Sequence, residues 1–133
     1  MSCSSAICMV NASRPDISAN SQIPFGGVVR RFGKNVVAES GNIVLRGEGY
    51  YDVDISISVS SATAGDVSAQ LYQDGIALPG ATDTDTIAAA DDFASLKIPY
   101  LVRNCGCNCN TVLSVSIDSA VTLDNMVTVV KKV

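Results

Sequence analysis

Residues 49–60 read Gly49-Tyr50-Tyr51-Asp52-Val53-Asp54-Ile55-Ser56-Ile57-Ser58-Val59-Ser60, and this stretch decides the fold class. From residue 51 onward, apolar and mostly β-branched residues alternate with aspartate and serine. A period of two places the two sets on opposite faces of a strand. We therefore predict a long antiparallel strand with one face in a core and the other facing water or a partner subunit.

Shorter strand-like segments and turn signals occupy the rest of the chain. Asp74-Gly75 predicts a tight hairpin turn, because both residues tolerate a positive φ. The return arm is predicted to stop at Pro79-Gly80, and residues 82–90 are predicted as a weak strand or a loop. No window has a helical period. The other predicted strands lie at 6–11, 28–32, 35–38, 42–45, 67–73, 93–103, 111–118 and 121–133.

The number of these segments predicts the fold class. A chain of 133 residues fits one domain, and 47% apolar residues are enough for a core. About eight to ten short strands separated by turns are typical of an all-β protein, an antiparallel two-sheet sandwich. Residues 1–27 are interrupted by proline and by paired glycines, so we predict an N-terminal arm there and a β-sandwich domain over 28–133.

The charge pattern limits the classes of partner. Charged residues make up 17% of the chain, against an average of about 25%, which indicates a surface that is either unusually neutral or partly buried against other subunits. The net charge is −4, and the basic residues cluster only at Arg30-Arg31 with Lys34 and at Lys131-Lys132. We therefore expect no nucleic-acid partner.

Membrane insertion and export signals are also missing from the sequence. No apolar run approaches the roughly 18 residues that span a bilayer. The first ten residues have no basic region ahead of their short apolar run, so they do not resemble a signal peptide. We expect synthesis in a cytosol and no membrane partner.

Histidine is absent from the chain. This removes the commonest general base and a frequent metal ligand, and it excludes Ser-His-Asp and Cys-His catalytic arrangements. No other motif indicates a catalytic site. We expect a protein that is not an enzyme and that needs no cofactor.

The cysteines are the only unusual chemistry. Cys105, Cys107 and Cys109 alternate in one loop, and Cys3 and Cys8 lie near the N-terminus. The C-x-C-x-C spacing differs from the paired knuckles of structural zinc sites. Three interpretations stay open: free thiols without a role beyond structure, disulfides formed in an oxidising medium, and a soft metal bound by the loop thiolates.

Aspartates are concentrated in two places. Asp83, Asp85, Asp91 and Asp92 could supply carboxylates to calcium, but the glycine and glutamate positions of a calcium loop are missing, so we predict solvated loop charges. On the long strand, residues 52 and 54 are predicted to be solubilising residues that blunt an edge, with a glycan contact as the alternative.

The stretch from Gly47 to Gly80 resembles the jelly-roll head shared by the complement globular head and tumour necrosis factor families. The resemblance is carried by the Gly-Tyr-Tyr start at 49–51 and by Leu71-Tyr72-Gln73-Asp74-Gly75. Residues 23–32 resemble the entry segment of small phage-encoded or prophage-encoded relatives of these heads. Those relatives carry a cysteine-rich loop like the one at 105–109. The resemblance covers residues 23–133.

This resemblance implies a two-sheet jelly roll of about ten strands that forms a homotrimer. In such heads, one sheet buries apolar and aromatic side chains near the threefold axis. The resemblance makes Tyr50, Tyr72 and Tyr100 the candidate trimer-interface residues. The collagen-like stalk of many such heads is missing from this sequence.

Together these observations lead to a functional hypothesis. We expect a non-enzymatic virion structural protein of a tailed bacteriophage: a trimeric capsid decoration or head-fibre protein. Residues 1–27 would attach it to the major capsid protein or another virion protein. The alternative is a receptor- or glycan-binding head module of a tail fibre or bacterial surface structure, with a host surface glycan as partner.

Overall fold

The structure is a computed structural model, and it describes residues 5–39, 41–104 and 110–133. Within these residues the chain forms twelve β-strands and no helix, which confirms the all-β prediction. Two strands more than predicted are present, because β2 and β3 are too short to leave a pattern in the sequence. The strands are β1 (Ala6–Asn11), β2 (Asp16–Ile17), β3 (Ser21–Ile23), β4 (Gly27–Phe32), β5 (Val36–Glu39), β6 (Asn42–Leu45), β7 (Gly49–Ser60), β8 (Gly65–Gln73), β9 (Ile76–Ile87), β10 (Phe93–Asn104), β11 (Thr111–Ile117) and β12 (Val121–Lys132).

The strands form two six-stranded antiparallel sheets. The first sheet has the order β10-β7-β12-β1-β4, with β2 paired to β12. The second has the order β5-β6-β11-β8-β9, with β3 paired to β11. The long strand β7 lies between β10 and β12, so it is a central strand. The predicted edge-blunting role of Asp52 and Asp54 is therefore wrong, because the strand they occupy has a neighbour on both sides.

The inner faces of the two sheets enclose one hydrophobic core. On β7 the apolar set predicted from the alternation is buried, and the polar set lies on the outer face. Aliphatic side chains dominate the core, which suits the pleated, β-branched packing of a sandwich. The largest fully buried side chains include Tyr51, Phe25, Ile7, Met9, Ile23, Ile43, Leu45, Ile55 and Leu71.

The hairpin at Asp74-Gly75 is confirmed, but the predicted stop at Pro79-Gly80 is wrong. Both turn residues have positive φ, 53° and 81°. Strand β9 continues through Pro79-Gly80 to Ile87, because the extra residues are accommodated in a bulge opposite the β8 residues 70–72. Gly80 adopts a φ of 78° within this bulge, which accounts for a glycine there.

Side chains satisfy the backbone carbonyls that the bulge leaves unpaired. The amide of Gln70 donates to the carbonyls of Leu71 and Leu78, each at 2.8 Å. The hydroxyl of Tyr100 donates to the carbonyl of Pro79 at 2.6 Å. Because backbone groups that are buried without a partner are costly, these bonds stabilise the irregular segment.

The edges of β9 and β10 form a seam that joins the two sheets. Asp83 and Asp85 on β9 accept hydrogen bonds from the backbone amides of Lys97 and Ser95, at 2.8 and 2.9 Å. Gln73 donates to the carbonyl of Arg103 at 3.0 Å. The prediction of solvated loop charges is therefore wrong for these two aspartates, because they lie on a strand and their carboxylates pair the edge of β10.

The N-terminal segment is part of the sandwich. The predicted strand at 6–11 is confirmed as β1, which lies between β12 and β4 in the first sheet. Strands β2 and β3 pair with β12 and β11. The predicted boundary at residue 27 therefore does not separate two structural units among the described residues, and the attachment role of residues 1–27 stays a prediction.

The two ends of the sandwich are easily distinguished. At the end where β7 begins, which we call the basal end, β1 starts, β12 finishes and the backbone amide of Asn35 bonds to the hydroxyl of Ser5. At the opposite, apical end lie the turns that follow β7 and β11. In the part of the chain that the structure describes, no helix is long and apolar enough to cross a membrane.

A buried polar cluster closes the basal end. The hydroxyl of Tyr51 donates to the carbonyl of Gly47 at 2.7 Å and accepts from its amide at 3.1 Å. The side chain of Asn104 donates to the same carbonyl at 2.9 Å and accepts from the hydroxyl of Thr111 at 2.6 Å. The second tyrosine of the Gly-Tyr-Tyr start thus has a structural role inside the domain.

Candidate subunit interface

The outer face of the first sheet carries a half-buried apolar patch on the neighbouring strands β1 and β12. Register places Cys8 opposite Val129 and Val10 opposite Val127. All four side chains point away from the core, since their neighbours along each strand are the buried ones. We call these four residues the apolar patch. No described element covers them.

The sequence of β12 explains why the patch forms. Its inner face carries Met126, Thr128 and Val130, and its outer face carries the two patch valines, so the strand is apolar on both sides. Strands that are apolar on both faces are typical of sheets covered on both faces. The sequence at 126–130 carries this signal, because its valines predict a strand that is buried rather than exposed on one face.

A polar row on β7 borders the patch. Register places Ser56 beside Val127, Asp54 beside Val129 and Asp52 beside Lys131. The serines of this row are small and half-buried, so another surface can approach the sheet closely here. Next to the row, β10 exposes Phe93 by 61% and Leu101 by 57% at the far edge of the sheet.

The opposite edge of the same sheet carries both apolar and cationic side chains, and Arg30 lies opposite Cys8 on the outer face. Strand β4 exposes all six of its residues. Among them, Phe32 is 59% exposed and lies opposite Ala6 on the outer face. The face therefore presents two apolar regions, one along β12 and β1 and one along β10, separated by the polar row.

The three candidate tyrosines do not lie together. Tyr50 is 50% exposed on the outer face of the first sheet, opposite Arg103. Tyr100 lies opposite the buried Val53, packs against the core and reaches the bulge of the second sheet. Tyr72 lies on the outer face of the second sheet. Only Tyr50 shares a face with the apolar patch, and the interface role of all three stays a prediction.

Charge is segregated between the two ends of the sandwich. The arginine at position 14 is paired with Asp124 at 2.6 Å. The apical end carries Asp16, Asp66, Asp91, Asp92, Asp118 and Asp124. The basal end carries Arg31, Lys34, Arg46, Arg103, Lys131 and Lys132, together with Glu48, Asp52 and Asp74.

The candidate metal ligands give no site within the described residues. Cys105, Cys107 and Cys109, like Cys3, lie outside them, and Cys8 is a free thiol. Across residues 5–39, 41–104 and 110–133, no group of three or more histidine, cysteine or acidic side chains is placed to hold a metal ion.

One carboxyl group has a perturbed acidity. Hydrogen bonds from the backbone amides of Ser95 and, secondly, Thr86 lower the pKa of Asp85 below its ordinary value of 3.8. Donors that bind the charged form favour it over the protonated form. The cause is local to the seam, so this group is a structural anchor between the sheets.

Solved structures with the same fold include heads of several kinds. Murine APRIL superimposes with a TM-score of 0.73 at 13% identity, over 98% of this chain and 99% of that chain. The globular domain of zebrafish complement 1qA gives 0.61 at 9% identity, over 96% and 94%. The PRD1 vertex protein P5 gives 0.60 at 15% identity, over 99% and 98%.

These likenesses establish the architecture. The chain has the antiparallel two-sheet jelly roll of tumour necrosis factor-like heads, which confirms the predicted fold class. No protein-family model matches the sequence, and no curated protein matches it. The fold is therefore shown by structure, at identities too low to carry a function.

Proposed function

We propose that this chain is a non-enzymatic structural protein of a bacteriophage virion, acting as a homotrimeric capsid decoration or head-fibre protein. The observation that carries the proposal is the apolar patch on the outer face of the first sheet. Its two cross-strand pairs, Cys8 with Val129 and Val10 with Val127, keep part of their apolar surface in contact with water in the single chain. Burial of such a patch against another subunit gains about 25 cal/mol for each Å² removed from water.

The distribution of apolar residues supports a ring rather than a twofold dimer. The patch on β1 and β12 and the exposed Phe93 and Leu101 on β10 lie at different positions on one face. Contact between two different regions is heterologous, and it forms a ring where the rotation from one subunit to the next closes. A ring of three is the assembly implied by the resemblance to tumour necrosis factor-like heads.

The likeness to the PRD1 vertex protein P5 supports a place on a particle. We place the basal end of this chain toward the particle, because that end carries the cationic side chains and the aspartate-rich apical end would then face solvent. The attached partner is the major capsid protein or another virion protein.

The composition supports a structural role as well. The chain contains no histidine, and the polar side chains that approach the β9–β10 seam bind backbone groups of the fold. In this proposal the chain is made in the cytoplasm of a bacterial host and is then incorporated into virions.

The protein composition of purified particles tests this proposal. Phage particles grown on, or induced from, the strain that carries the gene would be banded by density and digested for mass spectrometry. Peptides of this chain at a fixed stoichiometry to the major capsid protein would support the proposal. Infectious particles that contain none of the chain would contradict it.

A further inference from the structure

From the outer face of the second sheet, we infer a binding site for a neutral oligosaccharide, on the side of the sandwich opposite the apolar patch. A groove of about 320 Å³ lies between β8, β9 and β11. It is at the lower end of the range for small-ligand sites, roughly 300–1,000 Å³. Its lining includes Asn20, Gln70, Tyr72, Thr82, Ser116 and Asp118.

The bulge in β9 opens this groove. Pairing between β8 and β9 shifts from Gln70 with Thr82 to Tyr72 with Ala77, so residues 78–81 leave the ladder. The strand departs from the sheet at this point, and the small side chain of Ala77 lies beside the ring of Tyr72 on the groove wall. Bulges are concentrated beside functional sites, where they re-aim side chains.

The polar groups of the groove are arranged for a ligand. The amide nitrogen of Gln70 is fixed by two hydrogen bonds of 2.8 Å to backbone carbonyls, which leaves its oxygen as an oriented acceptor. Within the part of the chain that the structure describes, the side chains of Asn20, Tyr72 and Ser116 make no hydrogen bond. These groups offer donors and acceptors to a ligand without breaking any bond of the fold.

The chemistry of the lining selects the ligand class. One aromatic ring, several hydroxyl and amide groups and the carboxylate of Asp118 surround the groove, and no lysine or arginine lines it. An aromatic face packs against the C–H face of a sugar ring, while amides and carboxylates bind its hydroxyls. The carboxylate disfavours anionic sugars, so a neutral oligosaccharide fits the site.

This site does not depend on the proposed virion role. Tyr72 lies on the second sheet, and the apolar patch lies on the first, so self-association through the patch leaves the groove open. A trimeric head of this kind would present one groove from each subunit, which raises the avidity for a repetitive glycan.

An array of neutral and acidic oligosaccharides, followed by nuclear magnetic resonance titration of the best neutral binder, tests the site. We expect saturable shifts of the backbone amides of Gln70, Tyr72 and Ser116. Tyr72→Ala should weaken binding about tenfold, the loss that corresponds to one aromatic contact. Tyr72→Phe, which keeps the ring, should weaken it less.

The control is Val133→Ala, which trims an exposed apolar side chain that lies in neither the groove nor the proposed interface and should leave binding unchanged. The amide spectrum of each variant reports its folding, so a misfolded variant is recognised directly. No neutral binder on the array would overturn the inference. Binding that is confined to acidic oligosaccharides, or that is insensitive to both Tyr72→Ala and Gln70→Ala, would overturn it as well.

Discussion

The carboxylate of Asp85 accepts a hydrogen bond of 2.9 Å from the backbone amide of Ser95, and this bond joins the edge of one sheet to the edge of the other. Asp83 forms the equivalent bond to Lys97 at 2.8 Å. An edge strand with unpaired amides is a template for aggregation, and natural proteins cover such edges. Here two carboxylates on β9 cover the edge of β10.

Removal of the Asp85 carboxylate should therefore expose one amide and leave its neighbour protected. In Asp85→Ala we expect faster hydrogen exchange at Ser95 and unchanged exchange at Lys97, whose acceptor is Asp83. Asp54→Ala serves as a control, because that side chain lies on the outer face and makes no hydrogen bond in the described part of the chain. Equal acceleration at both amides would contradict the pairing.

The same bond has a pH dependence of defined sign. The pKa of Asp85 is lowered in the folded state, so the bond adds stability above the ordinary value of 3.8 and loses it as the pH falls through the lowered folded pKa. After correction for intrinsic rates, protection of Ser95 should therefore fall at acidic pH. Protection that stays constant down to pH values well below 3.8 would contradict this prediction.

The buried hydroxyl of Thr128 has no partner in the described residues, although the side chain is fully enclosed in the core. Thr128→Val replaces it with a methyl group of similar shape, so we expect the free energy of unfolding to rise by about 1 kcal/mol. Thr111→Val is the matched control: its hydroxyl donates to Asn104 at 2.6 Å, so that variant should be destabilised. Urea denaturation measures the free energy of unfolding of both variants. A stabilised Thr111→Val with a destabilised Thr128→Val would refute the prediction.

Gly26 lies where the chain passes β1 before it enters β4. Its φ is 90°, and a Cβ there would overlap the carbonyl oxygen of Val10 and lie 2.7 Å from Asn11 Cα. We expect Gly26→Ala to lower the free energy of unfolding by about 2 kcal/mol or more. Gly27→Ala, with open space around the new Cβ, should change it by less than about 1 kcal/mol. Thermal unfolding of the two variants measures both losses of stability. Equal losses in Gly26→Ala and Gly27→Ala would contradict the close contact assigned to Gly26.

The apolar patch can be tested by a single charge. Val129→Asp places a carboxylate in the centre of the proposed interface, where burial of an unpaired charge costs several kcal/mol, about 3–5. We expect a folded chain that no longer assembles, because the side chain points away from the core. Val112→Asp, on β11 in the second sheet, is the control that should assemble normally. Light scattering and circular dichroism separate loss of assembly from loss of folding.

The parts of the fold that were predictable have strong local patterns. Strand β7 was predictable because its two faces meet different environments over its whole length. The turn at Asp74-Gly75 was predictable because few residue pairs adopt positive φ at both positions. The course of β9 was not predictable, because Pro79-Gly80 signals a turn locally. Its bulge is stabilised by hydrogen bonds to its carbonyls from Gln70 on the neighbouring strand and from Tyr100 on the other sheet.

The candidate interface was harder to predict than the fold. The tyrosines were selected by residue type, but Tyr100 is used at the seam and Tyr72 lies on the opposite sheet. The patch exists because β1 and β12 pair in a particular register. This register places Cys8 beside Val129 on the outer face. A sequence reading of one strand at a time cannot bring those two residues together.

The native mass of the chain in solution tests the central claim most directly. Native mass spectrometry at micromolar concentration should show a species of about 41 kDa, three times the 13.8 kDa chain, which Val129→Asp converts to single chains. A wild-type protein that stays at 13.8 kDa across that concentration range would contradict the homotrimer and the interface assigned to the first sheet.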